Sequence, residues 1–139
     1  MDAWTELTVD VVRNALPNDL ATLYGSWVDA NPAKANRMGE LVAEVRSAFR
    51  VAVASNPWNG MDENPDTVPW VGFTHALNLV IFQLGMEMGT QFAPEVYGLN
   101  VQAQVWLRMV QSRQILVDRV SREGTPSYLP PMRACLVAG

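Results

Sequence analysis

Cysteine and histidine are almost missing from this 139-residue chain, which contains one of each. The lone cysteine, Cys135, excludes a disulfide within the chain, and His75 alone does not supply a zinc site. The sequence also lacks a glycine-rich phosphate loop and a dinucleotide-binding fingerprint. These absences exclude the metal and nucleotide chemistry that is easiest to recognise, and we expect the chain to bind no cofactor and no metal.

Long hydrophobic runs are absent as well. The longest apolar stretch, Ala76 to Met88, is interrupted by Asn78, Gln83 and Glu87 and is too short to cross a bilayer. The opening residues contain neither the basic nor the apolar region of a secretion signal. We therefore expect a soluble protein that is made in the cytoplasm and does not bind a membrane.

Residues that carry enzyme chemistry are sparse. His75 is the only candidate base for a nucleophilic site, and the favoured interpretation is a packed histidine bonded to a backbone carbonyl. Asp62, Glu63 and Asp66 do not have the spacing of an EF-hand, so a solvated acidic loop is favoured over a cation site. We expect no catalytic residues and no enzymatic activity.

Helical signals dominate what the sequence does contain. The first half predicts three helices: one from Thr8 to about Leu16, a second from Asn18, and a long third from Pro32 to about Ser55. The apolar residues of the third helix form one stripe at the helical period, namely Met38, Leu41, Val42, Val45, Phe49, Ala52 and Val53.

Residues 56–68 are dense in turn formers and predict a loop that Trp58 and Trp70 bracket. We favour these tryptophans as anchors of the loop against the bundle, and the alternative is a contact surface for a partner. After Pro69 the chain predicts a fourth helix to about Met88, stopped by Gly89, which is apolar nearly all round and therefore central.

A fifth helix is predicted from Asn100 to about Glu123, with Gly124 as its stop. The residues predicted to face inward from it are Val105, Met109, Leu116 and Val120. Because no segment shows the alternation of a sheet, the predicted class is all-α, a small bundle of about five helices around an apolar central helix. Residues 1–124 form this domain, and 125–139 form an extended C-terminal arm.

The arm is apolar but rich in proline. Pro126, Pro130 and Pro131 remove backbone donors and keep the segment extended. Such a segment needs a surface to lie on, in its own domain, on another subunit or on a larger partner. The residues that we assign to a partner-binding arm are Tyr128, Leu129, Pro130, Pro131, Met132, Arg133, Leu136 and Val137.

The net charge of −4 is unevenly distributed. Residues 1–99 hold five basic and twelve acidic side chains, whereas residues 100–139 hold five and two. An acidic surface argues against tight binding to duplex DNA. On the third helix, Glu40 and Glu44 lie on one edge while Arg46 and Arg50 lie on the other, which suits head-to-tail contacts between copies; an ordinary solvated surface is the alternative.

Arg113 is predicted to project from the apolar face of the fifth helix. A buried guanidinium needs a carboxylate, and Glu87 is the only acid of the fourth helix. We therefore predict an ion pair between Arg113 and Glu87. The alternatives are that Arg113 extends to solvent or reaches a neighbouring subunit.

Two stretches and the order of the elements carry a family resemblance. Residues 7–17 read Leu-Thr-Val-Asp-Val-Val-Arg-Asn-Ala-Leu-Pro, and residues 37–50 read Arg-Met-Gly-Glu-Leu-Val-Ala-Glu-Val-Arg-Ser-Ala-Phe-Arg. A loop leading to a proline, a central apolar helix, a final helix and a tail follow. Over most of its length the chain resembles head-to-tail connector (adaptor) proteins of tailed bacteriophages and prophages.

The resemblance implies a structural protein of the virion neck. Members form a twelve-fold ring beneath the portal protein, grip the portal through the C-terminal segment, and receive the tail or a stopper protein on the other side. An acidic ring lets packaged DNA pass without sticking because like charges repel. The alternative function is a cellular helical module that binds a partner or a small ligand.

Overall fold

A computed structural model describes residues 3–115 and 117. Within them, five α-helices and a small two-stranded sheet form one bundle, which confirms the predicted all-α class. The helices are α1 (Val9–Ala15), α2 (Asn18–Ala30), α3 (Arg37–Ala54), α4 (Phe73–Glu87) and α5 (Pro94–Gln111), and the strands are β1 (Trp4–Glu6) and β2 (Thr67–Pro69).

Helix α4 lies at the centre, as its apolar composition predicts. It contacts α1, α3 and α5, and Ala76, Val80 and Leu84 are fully buried. Most of the apolar stripe of α3 packs in the cluster around this helix, whereas Ala52 and Val53 pack in a second cluster with Trp4 and Val110. Val45 is half-buried and the other six residues of the stripe are buried. No helix in the described ranges has the length and apolar character needed to cross a membrane.

The start of α1 follows its sequence signals. The Thr8 hydroxyl accepts a hydrogen bond from the backbone N–H of Val11 at 3.4 Å. Leu7 before the cap and Val12 inside the helix are both fully buried, which is the arrangement of a hydrophobic staple. The cap and the staple together fix the angle at which the chain enters the bundle.

The two strands were not predicted from the sequence. They pair antiparallel, with Trp4 opposite Pro69 and Glu6 opposite Thr67. Each strand is three residues long, too short for a recognisable alternation of apolar and polar residues. The pairing attaches the N-terminal residues to the end of the loop 56–66.

The third helix begins later than predicted. Asn31 and Pro32 start a single 3₁₀ turn over Pro32–Lys34, and α3 begins at Arg37. The fourth helix stops where predicted, because Gly89 has φ of 81° and the Thr90 N–H donates to the Gly85 carbonyl at 2.8 Å. This is the hydrogen bond of a Schellman motif, which glycine stabilises.

The fifth helix differs most from the prediction. It begins at Pro94, in the first turn where the missing N–H of proline costs nothing, so Asn100 lies inside the helix. It ends at Gln111, and the residues that follow to 115 and at 117 are not helical. Residues 116 and 118–139 lie outside the described residues; they include Leu116 and Val120 of the predicted inward face, the rest of the predicted helix and the whole predicted arm.

The inward face of α5 is also corrected. Ala103 and Val110 are the buried residues of α5, and Trp106 packs partly against the core. Val105, which was predicted to face inward, is 39% exposed, and Met109 is half-buried. The packed side of the helix is therefore rotated from the predicted one.

Candidate functional site

The buried side chain of Asn59 holds the residues that follow α5. Its Nδ2 donates to the Val53 carbonyl at 3.0 Å, and its Oδ1 accepts from the Val117 N–H at 2.9 Å. Asn59 is 5% exposed, and its bond to Val53 is buried whereas its bond to Val117 is partly buried. The amide therefore bridges the end of α3 and Val117, the last residue described.

Two further contacts support this bridge. The Arg113 Nε donates to the Ser55 carbonyl at 3.1 Å. Ile115 and Val117 pack against a small apolar cluster that includes Trp4, Val53 and Val110. The chain after α5 is thus attached to the bundle by hydrogen bonds and by apolar burial.

Glu87 pairs with Arg37 instead of Arg113, so the predicted ion pair is wrong. The Arg37 Nε and Nη2 donate to the two Glu87 carboxylate oxygens at 2.8 and 2.7 Å, a bidentate geometry. These bonds lower the pKa of Glu87 to about 2 and raise the pKa of Arg37 above its ordinary value. Arg113 lies beyond the end of α5, where its side chain contacts Ser55.

Glu40 and Glu44 also contact Arg37. Its Nη1 donates to Glu40 at 3.1 Å and to Glu44 at 3.3 Å. The two glutamate side chains remain 59% and 64% exposed. One guanidinium therefore faces three carboxylates, and this edge of α3 keeps a negative charge. That these glutamates contact another copy stays a prediction.

The basic edge of α3 has partners within the chain. Arg46 donates to the Leu7 carbonyl at 2.9 Å and lies 3.5 Å from the Asp66 carboxylate. Arg50 donates to the backbone carbonyls of Asp62, Asn64 and Thr67 and to the Thr67 hydroxyl. Both arginines attach the loop and the N-terminal residues to α3. The prediction that they contact another subunit is untested.

Arg50 also lies over the Trp4 ring, with its guanidinium carbon 5.1 Å from the ring centroid. This cation–π contact joins β1 to the same arginine that holds the loop. The signal available in the sequence was an arginine on the flank of an amphipathic helix, which does not identify backbone carbonyls as its acceptors.

The acidic loop, the two tryptophans beside it and His75 have different environments. Among the described residues, no three Asp, Glu, His or Cys side chains are grouped to hold a metal ion. Trp58 is half-buried, whereas Trp70 is 47% exposed and stacks on Phe73. The ring of His75 stacks on Trp106 at 5.4 Å, and burial lowers the pKa of His75.

Comparison of the chain with protein-family models, with curated proteins and with solved structures finds no match. The partner-binding residues assigned to the arm all fall within 128–137 and so lie outside the described residues. The features that bear on function are therefore the Asn59 bridge and the exposed faces of the bundle.

Proposed function

We propose that this chain is a structural virion protein, a head-to-tail connector that forms a ring between the portal protein and the tail or stopper. The resemblance of the sequence supplies this hypothesis. The described fold agrees with it at the level of class, because a compact helical bundle is suited to repeated side-by-side assembly.

The observation that supports the proposal is the Asn59 bridge. Val117 donates a partly buried hydrogen bond to the buried Asn59 side chain, and 22 residues of sequence rich in apolar and proline residues follow it. A partner-binding segment loses less conformational freedom on binding when the residue from which it starts is already fixed. The Asn59 bridge fixes that residue, Val117, next to the end of α3.

The experiment removes residues Thr125–Gly139. We expect the truncated protein to keep its circular dichroism spectrum and thermal midpoint, because the described core lies within residues 3–115 and 117. Assembled particles should fail to incorporate it. The matched control is Cys135→Ser, which changes the arm without shortening it and should be incorporated normally.

Either of two results contradicts the proposal. A truncated protein that no longer folds assigns residues 125–139 to the domain's own core. A truncated protein that enters particles as efficiently as the full chain removes the role of the arm. Electron microscopy of the particles then shows directly whether the chain forms a ring between portal and tail.

A further inference from the structure

Helix α5 presents an exposed apolar stripe, which we call the α5 outer face: Tyr97, Val101 and Val105. These residues are 41%, 56% and 39% exposed. They recur every four residues and so lie along one side of the helix. Apolar side chains scattered singly on a surface are ordinary, whereas a contiguous stripe is typical of an interaction surface. Arg108 lies at the end of this face, one turn beyond Val105.

Helix α3 presents a second outward surface, which we call the α3 outer face: Ala43, Ser47 and Val51. Val51 is 64% exposed, more than any other large apolar residue in the described ranges. Ser47 and Ala43 are exposed one and two turns earlier, and their small side chains leave a shallow surface beside Val51. Glu40 lies at the other end, with its side chain 59% exposed.

The two faces point in opposite directions. Phe49 of α3 stacks on Trp106 of α5, with ring centroids 5.6 Å apart, where the helices contact each other. At about 100° per residue, Phe49 is on the far side of α3 from Val51, and Trp106 is on the far side of α5 from Tyr97. Each bundle therefore carries the two faces on opposite sides.

The faces match in length, spacing and charge. Both helices have 18 residues. Positions 40, 43, 47 and 51 of α3 are separated by three, four and four residues, and so are positions 108, 105, 101 and 97 of α5. In an antiparallel arrangement, Val105 and Val101 oppose the small side chains of Ala43 and Ser47, and Tyr97 opposes Val51. Arg108 then meets Glu40 at the charged end of both faces.

We propose that the α5 outer face of one copy packs antiparallel against the α3 outer face of the next copy. The two surfaces differ, so the contact is heterologous and repeats from copy to copy, which generates a ring when the rotation closes. The inference rests on the proposed function in one respect, which is that the repeat closes into the ring of a connector.

The test is disulfide cross-linking between positions 43 and 105 in a chain that also carries Cys135→Ser. The double variant Ala43→Cys, Val105→Cys should give a ladder of covalent oligomers under mild oxidation. Each single variant should stay uncross-linked, because position 43 meets position 105 and not its own equivalent. The matched control is Thr22→Cys with Val105→Cys, which places one thiol on the exposed surface of α2 and should give no ladder.

Three results overturn the interface. The first is a double variant that forms no covalent oligomers at any concentration up to its solubility limit. The second is a dimer formed by a single variant, which indicates a symmetric contact instead. The third is an intrachain disulfide between Val105→Cys and the native Cys135, detected by mass spectrometry as an oxidised monomer. It would show that the C-terminal segment of the same chain covers the α5 outer face.

Particle assembly separates this inference from the proposed function. Particles that hold a ring of the double variant without the cross-link overturn the interface and leave the connector function intact. A cross-linked ladder together with exclusion of the unmodified chain from particles supports the interface and overturns the connector function.

Discussion

Individual polar side chains hold the irregular parts of this bundle. Arg50 donates to backbone carbonyls of the loop that follows α3, and Asn59 bonds the Val53 carbonyl near the end of α3 and the Val117 N–H. Arg37 contacts three carboxylates. Backbone groups in loops need partners when they are removed from water, and a planar guanidinium supplies several donors at once. Replacing such an arginine therefore leaves several acceptors unsatisfied.

At this scale, the Arg37–Glu87 pair gives a pH-dependent prediction. Glu87→Gln should lower the free energy of unfolding at neutral pH by about 1–2 kcal/mol, because it replaces charge-assisted hydrogen bonds with neutral ones. The pKa of Glu87 in the folded protein is about 2, against an ordinary 4.5. The stabilisation is present above the ordinary pKa and disappears as the pH falls towards 2.

Urea unfolding at several pH values measures this effect. The wild-type and Glu87→Gln stabilities should converge as the pH is lowered from 4.5 towards 2, the window set by the two pKa values. The control is Glu63→Gln, a change of an exposed carboxylate in the loop. A double-mutant cycle should find coupling of Glu87 with Arg37 and none with Arg113; the reverse result contradicts the described pairing.

The end of α5 shows how a helix stops without a glycine. Arg113 has φ of 65°, and the Gln114 N–H donates to the Met109 carbonyl at 2.8 Å, as in a Schellman motif. A left-handed backbone is unfavourable for a residue with a Cβ by about 1–2 kcal/mol. The contacts of Asn59 and Val117 compensate by holding the following residues against α3.

This geometry predicts that glycine is more stabilising than alanine at position 113, the reverse of their order inside a helix. Arg113→Gly should have a higher free energy of unfolding than Arg113→Ala, by about 1 kcal/mol, because only glycine adopts positive φ without steric cost. Both variants lose the hydrogen bond to Ser55, so the comparison between them isolates the backbone. Thermal and urea unfolding of the two proteins measure the difference.

A helix continuing through position 113 would give the opposite order, since alanine is favoured over glycine inside a helix by about 1 kcal/mol. The control pair is Gly25→Ala against wild type, within α2, where a Cβ meets nothing within 4 Å. There alanine should be the more stable residue. Equal stability of the two variants at position 113 contradicts the left-handed cap.

These elements also show what the sequence was able to predict. The stripe of α3 was predicted correctly because its apolar residues keep a regular helical spacing over 18 residues, and α4 because it is apolar nearly all round. The end of α5 was missed because residues 111–114, Gln-Ser-Arg-Gln, contain no helix breaker, and the stop depends on a contact with Asn59, which is 58 residues away. Arg37 was missed as the partner of Glu87 for the same reason, since 50 residues separate them.

At the scale of the whole molecule, charge and apolar surface are distributed in a way that suits repetition. Three carboxylates around Arg37 leave one edge of α3 acidic, and Arg108 is exposed on the outward side of α5. Two different faces on opposite sides of one bundle allow each copy to contact two neighbours. A protein with only one such face would stop at a dimer.

A charge exchange tests this arrangement at the molecular scale. Arg108→Glu should weaken self-association by about fivefold, which corresponds to about 1 kcal/mol for an exposed pair at an interface. Glu40→Arg should weaken it similarly. Sedimentation equilibrium measures the association constants, and thermal unfolding of each variant verifies that the monomer remains folded.

The informative protein is the double variant Glu40→Arg, Arg108→Glu. In a head-to-tail contact, the exchanged charges again oppose each other between copies, so association should return close to the wild-type value. High salt should reduce the differences among the four proteins, because the pair is exposed and screened. If the double variant associates as weakly as the single variants, or more weakly, Glu40 and Arg108 do not meet across the contact and the antiparallel register is wrong.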